Sequence, residues 1–317
     1  MSLQQRGFVS YRTPLVLSPQ EVNKLKHSQT ASVALLDATW FMPNSPKDAA
    51  KEFQSKRIAG SQFFNLDEVA SPHELGLKHM MPSSEAFAEA CGKLGITPSS
   101  HVVIYDSQGV FSSPRALFTF RSFGHEKSSI INGGLPQWVD EGLPIQVDAP
   151  SKPKAVEYAP PKFHPESIKG YEDVVTNSAF DPKSNASAEL VLDARSAGRY
   201  HGTDPEPRPG LSSGHIPNSV SLPFNLFLQK HKAQDGSEYT TILPPSEIRQ
   251  VLEETVGREE VEDILDGQRS VVASCGSGMS AGVLWLGLQL IGAKNIALYD
   301  ESWTGYAIRP TSKIVKS

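Results

Sequence analysis

Residues 271–282 read Val-Val-Ala-Ser-Cys-Gly-Ser-Gly-Met-Ser-Ala-Gly, and they indicate the architecture of this 317-residue chain. The β-branched, apolar start is typical of a buried strand, and the glycines that follow are typical of a tight turn. Residues 279–291 then have the composition of a buried helix. The stretch therefore predicts a strand that turns directly into a helix, as in α/β folds, with Cys275 at the amino terminus of that helix.

The same order of elements occurs a second time, earlier in the chain. The strand Leu190–Asp193, which ends on Asp-Ala, matches Leu35–Asp37, and the strand before Cys275 matches His101–Tyr105. Asp106 therefore occupies in the first copy the position that Cys275 occupies in the second. A repeated strand, loop and helix pattern predicts two copies of one α/β domain, each with a mainly parallel sheet flanked by helices.

Two further stretches also match between the copies, Pro82-Ser83-Ser84-Glu85 and Pro244-Pro245-Ser246-Glu247. Each has a residue type that caps helices and an acid in the first turn, so each predicts a helix start. Residues 148–165 are rich in proline and predict a linker between the copies. We therefore expect an N-terminal domain over residues 1–147 and a C-terminal domain over residues 166–317, a division that suits a chain of this length.

Composition excludes several classes of protein. The net charge is -5, and no run of basic residues suggests a nucleic-acid partner. Two cysteines, Cys91 and Cys275, cannot form a disulfide framework, and no Cys and His cluster has the spacing of a zinc site, so we expect neither a metal nor an organic cofactor. No apolar stretch approaches the roughly 20 residues that span a bilayer, which predicts no membrane association.

The start of the chain bears on the compartment. Arg6 and Arg12 precede the first acid, Glu21, a pattern similar to a mitochondrial presequence. The stretch from Leu15 to Glu21 reads equally well as a strand entering a helix. We expect a cytoplasmic protein, with the mitochondrion as a second compartment.

Cys275 is the candidate nucleophile. A helix amino terminus with uncovered N–H groups stabilises a thiolate, which suits phosphate-ester hydrolysis, reduction of an oxyanion or transfer of a sulfur atom. Phosphatases and arsenate reductases of this kind need an arginine six residues after the cysteine, and Ala281 stands there. Sulfur transfer is the reaction that remains, with an inert buried cysteine as the alternative. Cys91, on the apolar face of a predicted helix, fits the inert interpretation.

The residues resemble the rhodanese family, in which an inactive N-terminal copy precedes an active C-terminal one. The resemblance covers nearly the whole chain and includes Tyr105-Asp106, residues 112–115 (Ser-Ser-Pro-Arg), residues 198–208, residues 213–217 (Ser-Gly-His-Ile-Pro) and Tyr299-Asp300. The loop that begins at Cys275 is similar to that of family members acting on 3-mercaptopyruvate. Members that prefer thiosulfate carry Arg and Lys directly after the cysteine.

The resemblance implies a role for each candidate residue. Cys275 would carry the sulfur as a persulfide, and Arg199 and Arg208 in the loop-rich insertion would hold the donor. On composition alone those two arginines read equally as surface salt bridges with Asp204 and Glu206. The remaining implied residues are the loop positions Gly276, Gly278, Met279 and Ser280 and a proton relay of Ser277, His79 and Asp67.

The relay needs residues of both domains, so the resemblance places the active site in the cleft between them. It implies transfer of sulfur from 3-mercaptopyruvate to cyanide, thioredoxin or another thiol. A thiosulfate enzyme, and a persulfide carrier that serves a sulfur-carrier-activating protein of tRNA thiolation, are the alternatives. Two departures from the family stand out: one additional residue between Asp67 and His79, and Glu301 where the family has glycine. A carboxylate that points into the site would oppose an anionic donor.

Overall fold

A computed structural model describes residues 13–28 and 32–317. The helices of the N-terminal half are α1 (Pro19–His27), α2 (Ala49–Ser55), α3 (Leu66–Val69), α4 (Ser84–Lys93), α5 (Ser113–Ser122) and α6 (Gly134–Asp140). Those of the C-terminal half are α7 (Tyr171–Asn177), α8 (Ala197–His201), α9 (Pro245–Val256), α10 (Arg258–Asp266), α11 (Ala281–Leu290) and α12 (Ser302–Ile308), with 3₁₀ turns at Pro165–Ser167 and Phe224–Phe227.

The strands of the first half are β1 (Val16–Leu17), β2 (Val33–Asp37), β3 (Arg57–Ile58), β4 (Gln62–Phe63), β5 (His101–Tyr105), β6 (Ser128–Ile131) and β7 (Ile145–Gln146). Those of the second half are β8 (Ile168–Lys169), β9 (Leu190–Asp193), β10 (Val220–Ser221), β11 (Leu228–Lys232), β12 (Glu238–Ile242), β13 (Val271–Ser274) and β14 (Ile296–Tyr299).

Each half contains one five-stranded parallel sheet, and the two sheets have the same strand order. The first sheet runs β1-β6-β5-β2-β4, and the second runs β8-β14-β13-β9-β10. Asp37 pairs in register with Tyr105, and Asp193 with Ser274. The residues that follow these strand ends, Asp106 and Cys275, therefore occupy equivalent positions, and the predicted duplication of an α/β domain is confirmed.

Local sequence explains the starts of helices α1 and α4. Ser18 caps α1 in a capping box with Glu21, so the strand-to-helix interpretation of this stretch is confirmed. Ser83 caps α4 by accepting the N–H of Ala86. In the second copy, however, the cap position of α9 is Pro244, which has no side-chain acceptor, and Ser246 lies inside the first turn. The expected Ser cap is wrong there because proline at the first helical position already fixes the required φ.

Residues 148–164 contain no helix or strand, but they are not detached from the first half. Val156 N–H bonds to the Gly92 carbonyl, and the Tyr158 hydroxyl lies 2.9 Å from Nδ1 of His125. A side chain at Gly92 would collide with the Val156 carbonyl. The proline-rich stretch is therefore an extended segment packed along the N-terminal half.

The two halves share one hydrophobic core. Helices α5 and α11 lie side by side at the boundary, and the rings of Phe118 and Trp285 meet edge to face with centroids 5.3 Å apart. Gly282 permits this approach, because a Cβ there would lie 2.8 Å from the backbone nitrogen of Arg115. The β11–β12 hairpin, which the sequence analysis did not predict, extends from the C-terminal half and donates the Thr240 N–H to the Gln108 carbonyl of the N-terminal half.

Within residues 13–28 and 32–317, no helix is long and apolar enough to cross a membrane. The presequence-like positions Arg6 and Arg12 lie outside the described residues.

Candidate active site between the two halves

Cys275 follows strand β13 and lies at the entrance to helix α11. Its side chain is buried, with 1% exposure, and its Sγ accepts the N–H of Gly278 at 3.1 Å. Gly278 has φ +82° and sits so close to Arg115 and to the Asp300 carbonyl that a Cβ would not fit. Glycine is therefore required for the turn that brings this N–H to the sulfur.

Helix α12 holds the loop from the other side. The Ser302 hydroxyl accepts the Cys275 N–H and donates its own hydrogen bond to the Tyr299 carbonyl. Thr304 donates both its N–H and its hydroxyl to the Gly276 carbonyl. Met279 is buried in the core, whereas Gly276 and Ser280 are partly exposed. The contacts from α12 therefore fix the loop together with the glycine that the turn requires at position 278.

Arg199 and Arg208 both reach the loop. A Cβ at Gly276 would lie 3.0 Å from Arg199 Nη2 and 3.7 Å from Arg208 Nη1. Arg199 lies in helix α8 and not in a loop, and it pairs with Glu206, whose carboxylate is almost fully buried. The salt bridge expected from composition therefore exists, but it is buried and serves to orient the guanidinium group toward Gly276.

Arg208 differs from Arg199 because no ion pair holds it among the described residues. Burial lowers the pKa of Arg208, and the nearby Arg199 acts in the same direction, while the charges of Cys275, Glu206 and Asp67 oppose them. A guanidinium group remains charged at neutral pH despite such a shift. Arg208 is thus a partly buried cation near the Cys275 sulfur, and no ion pair within the described part of the chain occupies its donors.

Asp67 and His79, both of the N-terminal half, form a hydrogen-bonded pair. His79 Nδ1 lies 2.9 Å from Asp67 Oδ1, and the indole N–H of Trp40 donates to Asp67 Oδ2 at 3.2 Å. Burial raises the pKa of Asp67, but the bonds from His79 and Trp40 outweigh this and hold it below its ordinary value. Burial lowers the pKa of His79, aided by the charge of Arg115, so its ring is neutral at pH 7.

Ser277 is nearly buried, but the structure does not complete the relay that the sequence predicts. No hydrogen bond joins Ser277 to His79 in the described part of the chain, and Nε2 of His79 is buried without a hydrogen-bond partner. The two members from the N-terminal half are therefore joined to each other, and the step to Ser277 stays a prediction.

Arg115 is a site residue to which the sequence analysis gave no role, although it lies in one of the quoted motifs. Its guanidinium group is 1% exposed and crosses to the C-terminal half, where Nη2 meets Asp300 Oδ1 at 2.6 Å and Nη1 donates to the Gly278 carbonyl at 3.3 Å. Nη2 also donates to the His79 carbonyl at 2.8 Å. One buried cation thus ties the cysteine loop to the residue that carries the imidazole.

Glu301 does not enter the site as a free carboxylate. It forms an ion pair with Arg309 of the same half, and its other oxygen lies 3.8 Å from His73 Nε2 in the loop between Asp67 and His79. The two departures from the family pattern, the longer loop and the glutamate, therefore contact each other. Arg309 neutralises the charge that would otherwise oppose an anionic donor.

The chain is similar to known proteins over most of its length. The model of the rhodanese-like domain matches residues 18–141 and 177–309. A Schizosaccharomyces pombe protein named probable 3-mercaptopyruvate sulfurtransferase is 36% identical over 288 residues, covering 91% of this chain and 90% of its own length. The Homo sapiens 3-mercaptopyruvate sulfurtransferase is 38% identical over 280 residues, covering 87% of this chain and 85% of its own length.

The crystal structure of the Tum1 protein from Saccharomyces cerevisiae superimposes with a TM-score of 0.80 at 29% identity, over 96% of this chain and 99% of that one. The duplicated sheet, the family model that matches both halves and these full-length similarities agree. The chain belongs to the rhodanese family, as a protein with two rhodanese-like domains.

Proposed function

We propose that the protein is a sulfurtransferase that takes sulfur from 3-mercaptopyruvate through a persulfide on Cys275. The observation that carries the proposal is the buried Cys275 sulfur, which receives the Gly278 N–H and lies in a loop faced by two guanidinium groups. An α-keto acid presents a carboxylate and a carbonyl to such groups, which bind planar oxygen pairs well. Thiosulfate lacks that planar pair, and the loop has no basic residue directly after the cysteine.

The first step is a displacement at sulfur. The Cys275 thiolate attacks the donor sulfur, the carbon–sulfur bond breaks, and its electron pair stays on carbon as pyruvate enolate. The proton of the donor thiol then moves to that carbon, so that a persulfide and pyruvate result and the hydrogens balance. The loop N–H groups at Gly276, Gly278, Met279 and Ser280 stabilise the persulfide anion. An acceptor thiol or cyanide removes the outer sulfur in the second step.

The relay moves the proton. We assign Ser277 as the hydroxyl that faces the enolate, with the neutral His79 as its partner and Asp67 as the group that fixes the imidazole tautomer. The Asp67 carboxylate accepts the hydrogen bond from Nδ1–H of His79. This leaves Nε2 of His79 without a hydrogen on it and able to accept a proton. Arg115 contributes by donating to the carbonyls of both His79 and Gly278, which holds the imidazole residue beside the cysteine loop.

The test is intact mass after brief exposure to 3-mercaptopyruvate, with pyruvate assayed in the same tube. We expect a reducible gain of about 32 Da, one sulfur atom, together with pyruvate release. Cys275→Ser should show neither, and Cys91→Ser, which alters the buried cysteine of α4, should show both. Folded wild-type protein that gives no adduct and no pyruvate contradicts the proposal.

Two outcomes would favour the alternatives. A larger kcat/KM with thiosulfate than with 3-mercaptopyruvate identifies a thiosulfate sulfurtransferase. Negligible turnover with both donors, together with saturable binding to a sulfur-carrier-activating protein of tRNA thiolation, identifies a carrier. Thioredoxin or a small thiol is the acceptor that we propose for the enzyme.

We also propose the domain limits of the sequence analysis, 1–147 and 166–317 with the linker 148–165, and a cytoplasmic location with the mitochondrion as a second compartment. Limited proteolysis tests the limits, although the bonds between residues 156–164 and the first half favour slow cleavage there. Fractionation with an antibody tests the location.

A further inference from the structure

The turn after β5 has no cysteine, yet it is highly ordered. The Asp106 carboxylate is fully buried and accepts the N–H groups of Gln108, Phe111, Ser112 and Ser113 at 2.9–3.1 Å. The Ser113 hydroxyl adds a bond of 2.7 Å to the same carboxylate. A buried charge with this many donors fixes the conformation of the whole turn.

Residues of this turn also bond the backbone of Trp40, which lies just after strand β2. The Ser112 hydroxyl accepts the Trp40 N–H at 3.1 Å, and the Gln108 side-chain amide donates to the Trp40 carbonyl at 3.0 Å. The ring of Phe111 stacks on the indole at 6.3 Å between centroids. The backbone and the ring plane of Trp40 are therefore both set by residues of the Asp106 turn.

The other side of Trp40 faces the relay pair. Its indole N–H donates to Asp67 Oδ2, and its ring meets the His79 imidazole edge to face at 5.2 Å. Asp67 is 39% exposed and sits on the four-residue helix α3, so its own element gives it little support. With one oxygen held by the indole, the other faces Nδ1 of His79.

We infer that Trp40 is a positioning residue for the proton relay, and that the cysteine-free turn of the N-terminal half serves as its support. The chain of contacts runs from Asp106 through Gln108 and Ser112 to Trp40, and from the indole to Asp67 and His79. This inference rests on the proposed function for its kinetic readout, but the contacts it invokes do not depend on the identity of the donor.

The test compares Trp40→Phe with Trp138→Phe. Both replacements keep an aromatic ring and delete an indole N–H, and the Trp138 N–H donates to the Pro144 carbonyl in the core of the same half. For Trp40→Phe we expect kcat for pyruvate release to fall about tenfold, the effect of losing one hydrogen bond to a charged group. We expect KM to change less than about twofold, because Arg199 and Arg208 are untouched. Trp138→Phe should leave both constants unchanged.

A double-mutant cycle separates positioning from a structural effect. In an Asp67→Asn background the kinetic effect of Trp40→Phe should vanish, because the indole acts through that carboxylate. An effect of the same size in both backgrounds overturns the inference. If Trp40→Phe fails to fold, Ser112→Ala, which frees the Trp40 backbone, takes its place with an expected loss of about threefold in kcat.

A second readout needs no donor. In the NMR titration of His79, Trp40→Phe should raise the midpoint by about half a pH unit, since Asp67 then shares its charge with one donor fewer. Trp138→Phe should not move it. If wild-type protein releases no pyruvate, the proposed donor fails, and an unchanged His79 midpoint in Trp40→Phe would still overturn the inference independently.

Discussion

The turns after the two central strands, β5 and β13, have the same position in their sheets. The first turn contains the Asp106 carboxylate, and the second contains the Cys275 thiol group. In the N-terminal turn the Asp106 carboxylate takes five donors, three of them on Oδ2 from consecutive backbone N–H groups. In the C-terminal turn, within the described part of the chain, the Cys275 sulfur receives one, from Gly278. Both side chains are buried, with exposures of 0% and 1%.

One duplicated anion-binding turn therefore supports two different roles. A carboxylate supplied by the chain satisfies the donors permanently, which makes the turn a rigid structural element. A cysteine occupies less of the hydrogen-bonding capacity, so that in the proposed reaction the donors are available to a sulfur anion that forms and disappears in each cycle. The N-terminal turn stabilises its half and holds Trp40, and the proposed reaction takes place at the C-terminal turn.

The largest effect is expected when the aspartate of the N-terminal turn replaces the cysteine of the C-terminal turn. Cys275→Asp should abolish pyruvate release from 3-mercaptopyruvate, with a loss of at least about 10⁴-fold, because the nucleophile is gone. The protein should stay folded, since the carboxylate can accept the Gly278 N–H in place of the sulfur. Pyruvate assays together with urea unfolding measure both effects, and Cys275→Ser serves as the control. Turnover above about one hundredth of the wild-type rate would show that another residue carries the sulfur.

The reciprocal change tests the structural half of the comparison. Asp106→Cys should not create a second active turn, because Arg199 and Arg208 face the Cys275 loop instead, and it should lower the free energy of unfolding by about 5 kcal/mol. The loss arises because several buried donors lose a charged acceptor at once. Urea unfolding of Asp106→Cys beside the wild type gives the value. A loss under about 1 kcal/mol would mean that water replaces the carboxylate without cost.

The sequence predicted the fold well because the strands before Asp106 and Cys275 are apolar, β-branched and followed by glycine-containing turns. The structure brings the predicted site residues Cys275, Arg199, Arg208, Asp67 and His79 to the boundary of the two halves, and their roles stay a prediction. The sequence did not reveal Arg115, because a buried arginine has the same one-dimensional pattern whether it pairs within its own half or across the boundary. Arg115 and Asp300 lie in two of the motifs quoted in the sequence analysis, and this was the available signal. Only the packing of α5 on α11 brings the two side chains into contact.

The β11–β12 hairpin was missed for a related reason. Its strand Leu228–Lys232 alternates weakly and is largely exposed, so periodicity does not distinguish it from a loop. Its partners are polar atoms of the N-terminal half, such as the Gln108 carbonyl and the Asn132 side chain. Contacts made through backbone groups leave no mark in the sequence.

Asp37 and Asp193 are a second pair of equivalent residues with different surroundings. Asp193 ends strand β9 and is held by Arg195, whose guanidinium group also bonds Glu206. Asp37 ends β2 in the first half, where Thr39 replaces the arginine and supplies only an N–H and a hydroxyl. Burial raises the pKa of Asp37 to about 7, against those two hydrogen bonds, and the charge of Asp106 adds to the increase.

The smallest of the three effects follows from this pKa. In the unfolded chain Asp37 ionises near 3.8, and in the folded protein near 7, so its contribution to stability is full below about pH 4 and is lost as the pH rises to about 7. Asp37→Asn removes that loss and should gain about 4 kcal/mol over the wild type between pH 4 and pH 8, as measured by urea unfolding. Asp193→Asn, the matched change in the other half, should destabilise across this range because it leaves Arg195 without its nearest carboxylate. A wild-type curve parallel to that of Asp37→Asn would show that Asp37 is ionised in the folded protein at neutral pH, and that the first half stabilises a buried carboxylate without an arginine.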